Sequence, residues 1–183
     1  MDRYRVIESM AKQHHWTHGC ELGVWMGVTT FWLMNNTDLH MTCVDSWEHQ
    51  PDNPEYAWQY EAIPPGSRAK QFTPWDHTAN EQHFRTNAKP WGDRIHTIKG
   101  RAMAVLDQVA DQSLDFIFHD GDHSHPYVAN EIRAWAPKLK ATGWHIGDDH
   151  NWDTVRDSVE EVFGNNYTVT GKDVWRAPRY RPT

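Results

Sequence analysis

Five short apolar runs, each closed by a glycine or an acid, alternate along this chain with stretches of helical spacing, and that alternation limits the possible folds severely. The runs are His18-Gly-Cys-Glu-Leu-Gly23, His40-Met-Thr-Cys-Val-Asp45, Arg94-Ile-His-Thr-Ile-Lys-Gly100, Leu114-Asp-Phe-Ile-Phe-His-Asp120 and Gly143-Trp-His-Ile-Gly-Asp-Asp149. Each has the length of a strand and ends on turn-forming residues. Helical spacing places Val6, Ile7 and Met10 on one face near residues 3–14, and Thr29-Thr-Phe-Trp-Leu-Met34 reads as the helix after the first strand. Further sets are Ala102, Val105, Leu106, Val109; Val128, Ile132, Trp135, Leu139; and Val155, Val159, Val162, Phe163. Each set presents one apolar stripe to a sheet. Such alternation predicts a mostly parallel sheet with right-handed crossovers and helices on both faces. Tyr167-Thr-Val-Thr and Asp173-Val-Trp-Arg around Gly171-Lys172 predict a closing hairpin that adds antiparallel edge strands.

One stretch breaks the rhythm. Residues 46–93, rich in Trp, Pro and Asn, lie where a crossover of about a dozen residues would suffice. Thr73-Pro74 opens a helix that runs through Phe84, and the remainder reads as a lid or pocket wall. At 183 residues the whole chain, 1–183, is expected to form one domain carrying this insert. A net charge of −7 argues against a general nucleic-acid binder, which needs clustered Lys and Arg. Arg176, Arg179 and Arg181 form the only basic cluster and read as a solvated terminus. No signal peptide or membrane span is expected, and Cys20 and Cys43 lie in apolar runs that suit buried, reduced thiols. A cytoplasmic location follows.

Open parallel sheets bind ligands beyond the carboxyl ends of their strands, where the first strand turns into its helix. Glu21, Gly23 and Gly27 fall there. Glycine admits close backbone approach, and an acid ending the second strand, Asp45, suits the two hydroxyls of a ribose. A dinucleotide turn needs G-x-G-x-x-G, whereas this chain has Gly-Val-Trp-Met-Gly preceded by an acid that would repel a pyrophosphate. The motif E-x-G-x-x-x-G, with an acid closing the second strand, resembles the first two motifs of class I S-adenosylmethionine-dependent methyltransferases. The element order resembles that family over nearly the whole chain. The resemblance implies a Rossmann-like three-layer α/β/α sandwich with a mostly parallel seven-stranded sheet and a C-terminal antiparallel hairpin. It also implies that Glu21 and Gly23 line the methionine side of S-adenosyl-L-methionine and that Val24, Gly27 and Thr29 belong to the same cofactor site. Asp45 and Ser46 would then hold the ribose, Gly100, Arg101 and Ala102 would flank the adenine, and Asp120 would border the same pocket.

The fourth strand ends in His119-Asp-Gly-Asp-His123 and the fifth in Asp148-Asp149-His150. Carboxylates that converge with no Lys or Arg near them in sequence suggest a hard cation, Mg2+, Ca2+ or Mn2+. Helix capping by Asp149 or Asn151, and by Asp122 or Ser124, accounts for one acid per helix. The spacing resembles metal-dependent O-methyltransferases of the catechol, caffeoyl-coenzyme A and macrocin types and the cephalosporin-hydroxylase-like group. That resemblance implies Asp120, Asp148 and Asp149 as metal ligands and His123, beside Asp120, as the catalytic base. His119 and His150 are rivals for the base. Thr142 replaces the first glycine of the relatives' double glycine, and His125 stands where they carry Tyr.

Trp25, Trp32, Trp135 and Trp144 sit in the repeating elements, where packing is the simplest role. Trp47, Trp58, Trp75 and Trp91 decorate the insert, as acceptor walls or as a buried lid. The reaction expected is metal-assisted O-methylation of a small hydroxylated acceptor. Alternatives are a nitrogen or protein acceptor without metal, a non-catalytic cofactor-binding subunit, and a nicotinamide oxidoreductase. A homodimer is the default assembly.

Overall fold

The computed structural model describes residues 2–48, 77–171 and 173–181. Helix α1 (Arg3–His14) precedes strand β1 (His18–Leu22), helix α2 (Val28–Asn36) and strand β2 (His40–Asp45). Helix α3 (His77–Ala88) leads to β3 (Ile95–Lys99), followed by β4 (Leu114–His119), α4 (Tyr127–Trp135) and β5 (Leu139–Gly147). Helix α5 (Asp153–Phe163) and the hairpin of β6 (Thr168–Thr170) and β7 (Val174–Pro178) complete the chain. The seven strands lie in the order β3-β2-β1-β4-β5-β7-β6. The first five are parallel, and β7 runs antiparallel to both β5 and β6. This is the Rossmann-like sandwich expected, hairpin included.

Period-two alternation sorts the side chains. Phe116 and Phe118 face one layer, formed with Val6, Ile7 and Met10 of α1, Leu33 and Met34 of α2 and Phe84 of α3. Ile117 and Leu22 face the other, where Trp135 and Val105 close the core, and α4 packs on α5 through Ile132 and Val159. Burying a ring the size of Phe116 or Trp135 stabilises the fold by about 1.5–3 kcal/mol. The order of strands reverses between β1 and β4, so a crevice opens at their carboxyl ends.

Three local expectations need correction. Ala102–Val109 is not an α-helix but two 3-10 turns, Ala102–Ala104 and Leu106–Gln108, joined at Val105. This link must travel from β3 to β4, three strand spacings or about 14 Å, and the 3-10 turn covers more distance per residue. Leu139 belongs to β5 rather than to the preceding helix, because the turn Ala136–Lys138 around Pro137 ends that helix and Leu139 then pairs with Leu114. Trp25 is not packed in the core but is 44% exposed. Of the stretch 46–93, residues 77–88 form the crossover helix and residues 89–93 most of a 3-10 turn that ends at Arg94. Phe84 there is fully buried, while 49–76, including Trp58, Trp75 and the start of the helix expected from Thr73, lie outside the described residues. Among the described residues no helix is long and apolar enough to cross a membrane.

Candidate functional site

The carboxyl ends of the strands are stitched together by backbone. Gly23 N donates to Val44 O at 2.9 Å, Asp120 N to Leu22 O at 2.8 Å and Gly100 N to Asp45 O at 2.8 Å. Gly23 has φ +87°, and a Cβ there would overlap the Asp120 carbonyl oxygen, so glycine alone lets β1 and β4 end this close together. Gly27, with φ +85°, starts α2. Between them the turn is held by Asp45: Oδ2 accepts from Val24 N at 2.8 Å and Trp25 N at 2.7 Å, and Oδ1 from Trp47 N at 2.7 Å. A carboxylate has about four acceptor positions, so three donors leave room for one hydroxyl. Ser46 is nearly buried and accepts from Glu48 N. Gly100 and Ala102 are half-buried and Arg101 is exposed at the neighbouring strand end.

Glu21 and Thr29 lie deeper than expected. The Glu21 carboxyl is 1% exposed and accepts from the Thr30 hydroxyl beneath the turn, so it does not form the surface of the crevice. The reason is strand alternation, which points Glu21 into the layer beneath α2. Burial pushes this carboxyl up to about 8; the Thr30 hydrogen bond opposes the shift and the Asp120 charge adds to it. Burial likewise raises Asp120, to about 7, against the pull of Arg3 and His123 and with the push of Asp148 and Asp149. Two carboxyls held up by desolvation and by their acidic neighbours make a pocket that gains from a cationic ligand. The sulfonium and ammonium of S-adenosylmethionine fit it.

The acids at the end of β5 part company. Asp148 Oδ2 lies 2.7 Å from Arg3 Nη1, and Arg3 Nη2 reaches Asp120 Oδ2 at 3.4 Å. Arg3 Nε donates to Thr29 Oγ1 at 3.1 Å, so this one side chain from α1 ties α2, β4 and β5 together. Asp149 turns the other way, in a left-handed conformation with φ +57°, and its Oδ2 lies 2.9 Å from His123 Nε2. It does not cap α5, whose N-cap is Trp152 without a side-chain bond. Asp122 accepts from the backbone and hydroxyl of Ser124 two residues on and caps no helix. Ligand atoms of Asp120, His123 and Asp149 lie within 4.8 Å of one another, so this trio could hold a metal ion. Asp148, expected beside Asp120 and Asp149, is not in this trio and pairs with Arg3.

His123 is the histidine nearest these acids. Burial disfavours its charged form, but Asp149, Asp120 and Asp122 outweigh that and raise it above the ordinary value. His119 points to the opposite face, where Nδ1 lies 2.7 Å from Glu131 Oε1 and Nε2 lies 3.0 Å from His145 Nδ1. His150 Nε2 lies 3.2 Å from the Tyr167 hydroxyl. Neither rival reaches Asp120. Among the tryptophans, Trp135 is fully buried, Trp32 donates to Glu8 and Trp144 packs at the edge of the core. Trp47 is buried against Phe84 and donates to the Trp25 carbonyl at 2.8 Å, leaving Trp25 exposed at the mouth.

Two residues of this region have no signal in the sequence pattern. Arg3 arrives from a helix 145 residues away from its partner Asp148. Glu131 reads as an exposed helix position, yet it is 2% exposed.

No curated protein matches the sequence. Among solved structures, a candidate caffeoyl-CoA O-methyltransferase from Staphylococcus aureus superposes with TM-score 0.68 at 15% identity, covering 98% of this chain and 84% of that one. The O-methyltransferase TomG from Streptomyces achromogenes, bound to SAM, gives 0.61 at 13% identity over 94% and 77%. A Burkholderia thailandensis 1,6-didemethyltoxoflavin-N1-methyltransferase, bound to S-adenosylhomocysteine, gives 0.60 at 14% identity over 98% and 79%. These likenesses show a shared fold. A family model described as a methyltransferase domain matches residues 20–150, more than half of the chain and all of the strand-end motifs, and the chain therefore belongs to that family of S-adenosylmethionine-dependent methyltransferases.

Proposed function

We propose that this chain methylates a hydroxyl of a small acceptor, with His123 as the base. The observation that carries this reading is the pair of His123 Nε2 and Asp149 Oδ2, 2.9 Å apart, beside Asp120 at the end of the glycine turn. Methyl transfer from a sulfonium requires in-line attack by an electron-rich oxygen, so the protein must orient the hydroxyl and remove its proton. The Asp149 carboxylate beside the ring favours the imidazolium that forms when the proton arrives. Asp45 and Asp120 supply a negative field that suits a cationic donor, and a cation would in turn favour ionisation of the buried Glu21. Asp120 and Asp149 would hold a divalent cation, which when bound would supply Lewis acidity that lowers the hydroxyl pKa, with His123 left unligated as the base. Trp25, exposed at the mouth and backed by Trp47, gives a flat surface for a planar acceptor. Two buried free cysteines, Cys20 and Cys43, suit a reducing compartment, and a homodimer is the assembly proposed.

Arg3 favours a second reading, in which no metal takes part. Its guanidinium already neutralises Asp148 and touches Asp120, as a metal would. A nitrogen acceptor, like that of the Burkholderia enzyme, belongs with this reading.

The test is calorimetric titration with S-adenosylhomocysteine, followed by turnover of a panel of small phenols and sugars in Mg2+ or in EDTA. Binding of S-adenosylhomocysteine with Mg2+-dependent O-methylation is the expected result. Turnover unaffected by EDTA transfers the assignment to the second reading, and absence of S-adenosylhomocysteine binding overturns both.

A further inference from the structure

At the edge of the sheet opposite the strand carboxyl ends, the start of β5, the end of β7 and the end of α5 border an open cleft of about 620 Å3. That volume lies within the range of small-molecule sites, about 300–1,000 Å3. Phe163, Asn166, Arg179, Tyr180, Arg181 and Glu161 are among its lining residues. Phe163 and Tyr180 meet edge to face, with ring centroids 6.4 Å apart, and form an apolar wall.

The charges there are unbalanced. Glu161 is the acid of the lining, and it is already bound at 2.7 Å by Arg133 and at 2.8 Å by His125. Arg179 and Arg181 have no acidic partner among the described residues: Arg181 donates only to the Ala141 carbonyl at 3.4 Å, and Arg179 Nε is buried with no acceptor. A buried guanidinium N–H without an acceptor is costly, and in a chain of net charge −7 two unpaired arginines at one cleft are unexpected. Arg179 is held in place by its own backbone, whose N–H donates to the Gly143 carbonyl at 2.9 Å. An acceptor with several oxygens would satisfy both forks at once, as phosphoryl groups do.

We propose that this cleft is a second ligand site, which takes a small phosphate monoester with its phosphoryl group on Arg179 and Arg181 and its body against Phe163 and Tyr180. The site is separate from the methyl-transfer edge and does not depend on the acceptor assigned there.

Isothermal titration of the whole protein at constant ionic strength tests it, with phenyl phosphate, inorganic phosphate and uncharged benzyl alcohol as probes. Phenyl phosphate is expected to bind with Kd below about 1 mM, more tightly than inorganic phosphate, and benzyl alcohol not at all. Arg179→Gln weakens phenyl phosphate about tenfold or more, and Arg181→Gln, an exposed position that leaves the fold intact, weakens it severalfold. Saturation with S-adenosylhomocysteine leaves this affinity unchanged. The proposal is overturned if phenyl phosphate does not bind, if Arg181→Gln binds it as the parent does, if benzyl alcohol binds equally well, or if S-adenosylhomocysteine displaces it.

Discussion

Arg3 Nη1 and Asp148 Oδ2 lie 2.7 Å apart, bringing the first turn of α1 onto the end of β5. Arg3 also touches Asp120 and Thr29, so one guanidinium screens two acids from each other and pins α1 over the crevice. Replacing it by Met keeps the aliphatic stem and removes the charge. Arg3→Met should lower stability by about 1–2 kcal/mol, since the side chain is partly exposed and water compensates part of the loss. It should also raise the affinity for Mn2+, followed by electron paramagnetic resonance, about tenfold, because Asp148 is then free to join Asp120. Unchanged Mn2+ affinity would show that Arg3 does not govern access to these acids.

The strand ends were legible because period and punctuation are local. Asp45, Asp120, Asp148 and Asp149 terminate apolar runs, and parallel pairing then forces them to one edge. What local pattern cannot reveal is which partner each acid takes. Asp148 and Asp149 are adjacent in sequence, yet the positive φ at Asp149 sends one carboxylate toward Arg3 and the other toward His123. Trp25 was misread for a similar reason. It lies one residue after buried Val24, but in a left-handed turn fixed by Asp45 its ring is turned outward. The helix expected over Ala102–Val109 had sound spacing, and the distance from β3 to β4 overrode it.

The His123–Asp149 pair makes a direct kinetic prediction. His123→Gln should reduce methyl transfer by about 10²–10⁴-fold, the usual contribution of a positioned base. S-adenosylhomocysteine affinity should stay within about twofold, since the ring lies beyond the glycine turn. Steady-state rates and calorimetry on the same preparation check this. Equal losses in rate and in cofactor affinity would mean that His123 shapes the cofactor pocket instead.

Asp45 predicts a coupled loss. Its carboxylate accepts from Val24, Trp25 and Trp47, so Asp45→Ala leaves three backbone donors without their acceptor. Stability should fall by about 1–3 kcal/mol in denaturant unfolding, and S-adenosylhomocysteine affinity should fall at least tenfold as the turn loosens. Asp45→Asn, which keeps one acceptor oxygen, should recover part of both.

On the far face of β4, Glu131, His119 and His145 form a buried chain that the site does not use. Burial holds His145 well below the ordinary histidine range, with the charges of His119 and Arg179 adding to the shift, and its Nε2 has no partner among the described residues. Exchanging His145 for Leu removes an unsatisfied nitrogen but leaves buried His119 Nε2 without its partner, and should cost about 1–3 kcal/mol. His119→Leu is different, because it strands the Glu131 carboxyl in the core. It should cost about 3–5 kcal/mol. Urea unfolding of the two variants distinguishes the cases, and equal destabilisation would show that the chain acts as a single indivisible unit.

Glu21 makes the pH prediction. Its carboxyl titrates near 8 in the folded chain, above the ordinary value of 4.5, so the folded state holds a proton that the unfolded state has released. Between those two values the unfolded state binds fewer protons, and stability must fall as pH rises, with a slope of up to about 1.4 kcal/mol per pH unit from this group. Glu21→Gln keeps the hydrogen bond to Thr30 and carries no proton to lose. Thermal unfolding of the cofactor-free protein from pH 5 to pH 9 should therefore show a shallower decline in the variant, with the largest gain over the parent at pH 9. A cationic ligand acts in the opposite sense on the parent, since it favours the ionised carboxyl. S-adenosylmethionine should accordingly stabilise the parent more strongly at pH 8 than at pH 6, and should lose much of that pH dependence in Glu21→Gln. Parallel pH profiles for the two proteins would show that Glu21 does not change its protonation between pH 5 and pH 9 and is not the source of the pH dependence.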